Sequence, residues 1–162
     1  MKLRSLLLPL AIALPAWNAT SDNFGIPPIT GPVAPVWANV LWVRTELALE
    51  DRRLDRALAF AERAVRAHPG ETGGWRRLVA LYLLQPSALE ADRRLAAIDR
   101  GLELAERGTE RCRDPGALTE SVITFLRGRA SAEESAEMTR ELLARATRFE
   151  AQFGAQDPVS PP

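Results

Sequence analysis

The sequence predicts an all-α protein of three antiparallel helical hairpins. Three observations carry this. Apolar residues recur at helical spacing in six successive stretches, the period of a helix with one buried face. Helix-starting or helix-ending residues separate the stretches: Pro69-Gly70, Pro86, Gly108, Asp114-Pro115 and Gly128. No alternating apolar and polar run of useful length appears, so no strand is expected. Short connections then make consecutive helices antiparallel neighbours.

The chain opens with Lys2 and Arg4, followed by an apolar run from Leu6 to Ala16. That run is too short for a membrane span of about 20 residues. With small residues after it, it reads as a signal peptide over residues 1–19. The other readings are an uncleaved anchor or a buried apolar helix. Residues 20–35 contain Pro27, Pro28, Pro32 and Pro35. Proline fixes φ and removes donors, so this segment is expected to be an extended linker, or an arm held by Phe24 and Ile26.

The helical domain is expected over 36–153. Its first helix runs over 36–50, with Trp37, Val40, Leu41, Thr45, Ala48 and Leu49 inward. The second runs over 54–68 and is stopped by Pro69-Gly70. The third runs over 72–84, with Thr72 as its cap. The fourth is expected over 87–107, opened by a Ser87/Glu90 capping box and closed by Gly108. Asp114-Pro115 starts a fifth helix, ended by Gly128. The sixth spans 131–153, with Ser131 to Glu134 as a capping box and Met138, Leu142, Leu143, Ala146 and Phe149 as its stripe. Residues 154–162, ending in Pro161-Pro162, are expected to be disordered.

Composition removes several function classes. The 21 basic and 21 acidic residues cancel, whereas nucleic-acid binders carry a basic excess or stripe. Acid-before-base pairs at i,i+4 (Glu62/Arg66, Glu90/Arg94, Glu103/Arg107, Glu141/Arg145) suit exposed helix faces. One cysteine, Cys112, and one histidine, His68, cannot supply the usual Cys/His zinc shells or an internal disulfide. His68 sits at a helix end, where terminal carbonyls explain it. Cys112 lies between Arg111 and Arg113, a setting that could activate a thiol. With no histidine near in sequence, a free surface thiol or an intermolecular disulfide is the expectation. The carboxylate pairs Glu133/Glu134 and Asp51/Asp55 are expected on solvated faces or caps. No constellation for catalysis, cofactor or metal stands out, and the expected class is not an enzyme.

The stretch Leu54 to Tyr82 carries the strongest pattern. Ala57, Ala61 and Ala64 share one helical face and Pro69 closes the helix. Trp75, Leu78 and Tyr82 line one face of the next helix. This resembles the tetratricopeptide repeat, a 34-residue helix–turn–helix unit. The resemblance is specific over 54–82 only. In the first unit Trp42 and Thr45 fit if the turn is one residue longer. In the second, Ala97, Gly101 and Ala105 are the small positions, with Glu106 near the place of the terminal proline.

The resemblance implies a short right-handed α-solenoid whose partners lie on the first helix of each hairpin. Arg44, Arg76 and Arg77 are then the polar candidates for partner binding, and Leu83 and Leu84 the apolar ones. Arg76 with Arg44 would suit a carboxylate. Ala80 stands where the family's carboxylate clamp carries Asn, which speaks against that version. The expected function is a non-catalytic adaptor that holds another protein or peptide in a bacterial cell envelope. It would be exported, touching membrane only through an uncleaved leader. The alternative is an accessory subunit buried in a larger, membrane-associated complex, which would show a large apolar patch. A helix-bundle enzyme or ligand carrier is a third possibility and would need a pocket with convergent polar groups.

Overall fold

The computed structural model describes residues 31–84 and 91–154. The leader 1–19, the linker up to residue 30, the Ser87/Glu90 capping box and the tail from residue 155 lie outside the described residues. Within them the chain is all-helical: α1 (Ala34–Glu50), α2 (Leu54–Ala67), α3 (Thr72–Leu84), α4 (Ala91–Thr109), α5 (Pro115–Ser131) and α6 (Ala136–Phe153). None of these helices is long and apolar enough to cross a membrane.

Consecutive helices pack in pairs, α1 on α2, α3 on α4 and α5 on α6. α3 is the hub, touching α2, α4 and α5. α1 and α3 have no Cα atoms within 8 Å of each other and meet only through side chains. The reason lies in the α2–α3 seam. Ala57, Ala61 and Ala64 are at most 1% exposed. Their small side chains let the backbone of α3 approach, so Trp75, Leu78, Val79 and Tyr82 fill the core behind them.

Several boundaries differ from the sequence expectation. α1 begins two residues early, because Pro35 falls in its first turn, where a missing N–H costs nothing. Gly128 does not end α5, which runs on to Ser131, while α4 ends one residue past Gly108. A Cβ on Gly108 would stand 2.7 Å from Leu118 and 3.0 Å from the Trp75 ring. This glycine is a point of helix contact. The sixth helix is capped by Ser135, which accepts from Met138 N–H at 3.4 Å, while Ser131 closes α5. The Asp114 cap is as expected, accepting from Ala117 N–H at 2.9 Å. The Thr72 hydroxyl instead accepts from Asp114 N–H at 3.1 Å. With Arg113 N–H donating to Gly70 O, this clamps two turns side by side. Val40 and Leu143, expected inward, are 36% and 44% exposed.

The burial pattern of the seam recurs further along the chain. Gly101, Ala105 and Gly108 repeat the spacing of Ala57, Ala61 and Ala64, each 44 residues on. Thr119, Val122 and Leu126 likewise follow Trp75, Leu78 and Tyr82, and all are buried. A Cβ on Gly101 would meet Tyr82 Cβ at 2.8 Å, so this position too needs the smallest residue. The small-residue set of α4 is therefore Gly101, Ala105 and Gly108. At the same 44-residue spacing Arg113 corresponds to Pro69.

The α1–α2 turn is a Schellman motif. Arg53 N–H donates to Ala48 O at 2.8 Å and Arg52 N–H to Leu49 O at 2.9 Å. Arg52 adopts φ 57°, a left-handed conformation that strains a residue with a Cβ. Arg52→Gly is expected to stabilise the fold by about 0.5–1 kcal/mol in urea unfolding.

Two ring hydroxyl and amine groups tie the seam together. Trp75 Nε1 donates to Pro69 O at 2.7 Å, so the indole fixes the turn that precedes it. Tyr82 OH donates to Glu62 Oε1 at 2.7 Å. Burial, then the bond to Glu62, pushes the Tyr82 phenol up to about 12. The neutral phenol is the form the fold favours. Its contribution is complete below pH 10 and lost as pH rises from 10 towards 12, on the order of 2 kcal/mol. Tyr82→Phe is expected to cost about 1 kcal/mol at neutral pH and to remove that alkaline decline, read as denaturation midpoints against pH.

Candidate partner-binding surface

The five residues expected to bind a partner divide into three groups. Arg76 is exposed on α3, on the side away from the seam. Arg77 and Arg44 are engaged with aromatic rings. The Arg77 guanidinium lies 5.3 Å from the Trp42 ring centre, which gives α1 and α3 a side-chain bridge where their backbones stay apart. Arg44 lies 5.9 Å from the Phe60 ring centre, leaning towards α2. Arg44 and Arg77 therefore face different neighbours. Leu84 is 42% exposed, but Leu83 is 1% exposed. Leu83 packs beside Gly101, where an added Cβ would come within 3.3 Å of it. It is a core residue and leaves the candidate surface, because helix rotation turns it inward beside Tyr82.

The acid–base pairs follow geometry more than sequence spacing. Glu62 pairs with Arg66 at 3.5 Å, and Glu141 pairs with Arg145. Glu103, however, pairs with Arg100 at 2.9 Å. Arg94 reaches Glu133 at 3.1 Å, joining α4 to the loop before α6. Both side chains of that pair are well covered. Arg145 also holds Asp99 at 2.8 Å, linking α6 to α4.

His68 and Cys112 lie in neighbouring turns, joined by the Arg113 N–H bond to Gly70 O at 3.1 Å. His68 Nδ1 lies 3.5 Å from Glu71 Oε2 at the end of α2. Cys112 is a free thiol, half-buried against the core and not projecting from its loop. Among the described residues no group of three or more His, Cys, Asp and Glu side chains could hold a metal ion.

Two clefts were not foreseen. One of about 540 Å³ is lined by Arg52, Arg53, Asp55 and Arg56 together with Leu58, Leu81 and Tyr82. The run Arg52-Arg53-Leu54-Asp55-Arg56 is its sequence signal. A lining of arginines and apolar side chains suits an acidic, partly apolar segment. The second, about 570 Å³, lies between α5 and α6 and is lined by Thr119, Ile123, Arg127, Glu150 and Phe153. At the 44-residue spacing Thr119 corresponds to Trp75, with a much smaller side chain than an indole. The Thr119 hydroxyl is buried and finds no hydrogen-bond partner.

Comparison of the chain with protein-family models, with curated proteins and with solved structures gives no match.

Proposed function

We propose that this chain is a non-catalytic protein-binding adaptor of the bacterial cell envelope, built on stacked helical hairpins of tetratricopeptide type. One observation carries the reading. The residues that resemble the repeat signature are consumed in packing, while Arg76, Arg77 and Leu84 remain exposed on α3. The recurrence of the seam in Gly101, Ala105, Gly108, Val122 and Leu126 supports a repeated unit. Its 44-residue spacing exceeds the 34 residues of the ordinary repeat, so the second unit carries an insertion around Pro86. The proposed partner is a protein or peptide with an acidic group set against Arg76. Export rests on the N-terminal leader.

Affinity capture from the native host, with the full chain as bait, tests this. One stoichiometric partner should be retained, and Arg76→Glu should weaken capture at least tenfold, or about 1.4 kcal/mol. Equal capture by the variant would remove Arg76 from the interface.

A second reading, an accessory subunit of a larger complex, is favoured by a different surface. α1 carries an exposed apolar face: Val33, Val36, Val40, Val43 and Leu47 are 36–62% exposed. A contiguous patch of this kind marks an interaction site.

A further inference from the structure

We infer that the outer face of α1 is the contact by which two copies of this chain associate, with their α1 helices antiparallel. The face is an unusual one for a helix in water. Its buried side holds Ala38, Leu41, Trp42, Thr45 and Ala48. Directly opposite run Val33, Val36, Val40, Val43 and Leu47, all exposed. Their spacing alternates three, four, three and four residues, the period of a coiled-coil seam. The stripe extends about 21 Å along the helix. No residue of the described body covers it, since α1 packs only on α2 and meets α3 through Trp42.

Self-complementarity identifies the second copy as occupant. In an antiparallel pair, positions a and d of one helix face d and a of the other. Placing Val40 against Val43 of the second copy also sets Val36 against Leu47 and Val33 against Glu50, at the wet ends of the seam. The flanking residues then meet without conflict. Arg44, whose guanidinium already lies over Phe60 of its own chain, stands opposite Trp37 with no like charge facing it. Glu46 stands opposite Asn39. A parallel pair fails on charge, because it would bring Glu50 against Glu50 in the seam and Glu46 against Asp51. Antiparallel helix dipoles also favour the first arrangement.

The area is in keeping with a modest dimer. Five apolar side chains, 36–62% exposed, with their flanking neighbours form a face suited to the lower end of specific interfaces, about 1,200 Å² for the pair. The stripe lies opposite the packed face, so dimer formation leaves Arg76 and Leu84 of α3 accessible. The inference does not depend on the adaptor reading.

Sedimentation velocity of the full chain across micromolar concentrations is the test. The wild-type chain should form a dimer. V40E and V43K should each weaken association at least tenfold, with far-UV circular dichroism unchanged, because both side chains are exposed. The double variant V40E/V43K should restore the dimer, since each introduced acid then faces an introduced base across the pair. If a charged variant loses helicity, Val43→Ser carries the same test without a charge. A monomeric wild-type chain overturns the proposal. So does a dimer indifferent to V40E, which would place the contact elsewhere, or a double variant that stays monomeric, which would refute the register. A monomer whose flotation with phosphatidylcholine vesicles is lost in V40E also overturns it, in favour of a lipid surface.

Discussion

Replacing Trp75 by alanine is expected to cost the fold about 3–5 kcal/mol. Three separate losses meet at this residue. Its ring is 3% exposed, at the hub helix that holds α2, α4 and α5 together. It lies against Gly108, where even a methyl group would come within 3.0 Å of the ring. Its Nε1 donates to Pro69 O at 2.7 Å, so the variant also leaves that turn without its tether. A domain of this size has a stability of about 5–15 kcal/mol in total, so the variant gives up a large share of it. Urea unfolding followed by circular dichroism reads the effect. Trp75→Phe separates the causes: it keeps most of the ring and loses the hydrogen bond, for an expected cost of about 1–2 kcal/mol. A Trp75→Ala variant with a wild-type midpoint would show that α3 is not the hub.

The second large effect comes from a pair of glycines that look alike in sequence. Gly108→Val is expected to destabilise by about 2–3 kcal/mol, and Gly128→Ala to stabilise by about 0.5–1 kcal/mol. Both sit inside helices. Around Gly108 an added Cβ meets Leu118 at 2.7 Å and the Trp75 ring at 3.0 Å. Those groups are themselves locked in the core, and α4 must move away from α3 and α5. Around Gly128 there is nothing within 4 Å, so alanine adds only helix propensity. Opposite signs from one class of substitution make the experiment demanding. Destabilisation by Gly128→Ala, or tolerance of valine at Gly108, would contradict the packing described.

These glycines also show where sequence reading stops. A glycine after an apolar stripe signals a helix end just as readily as a close helix contact. Only the position of Trp75 across the seam distinguishes the two. The seam itself was legible, because Ala57, Ala61, Ala64, Pro69, Trp75, Leu78 and Tyr82 form one pattern in residue type and spacing. Its recurrence was less legible. Thr119 and Arg113 stand 44 residues after Trp75 and Pro69, so neither residue type nor a 34-residue period points to them.

The candidate surface was legible in part. Arg76 and Leu84 are exposed as helical rotation requires, but Leu83 and Val40 exchange sides. α1 has apolar residues all round, and periodicity cannot choose a buried face when both faces are apolar. The buried face is the one that carries Leu41 and Trp42. The valines, Val40 among them, are left outside. Pairings such as Arg94 with Glu133 join residues far apart in sequence and have no local signature.

The adaptor account turns on where the partner lies. Hydrogen exchange of the full chain, with and without its captured partner, measures this directly. The account predicts slowed exchange over residues 37–49 and 72–84, strongest around Arg76, with α6 unchanged. Slowed exchange confined to the α5–α6 cleft, or to the arginine-lined cleft at Arg52 to Arg56, would contradict it.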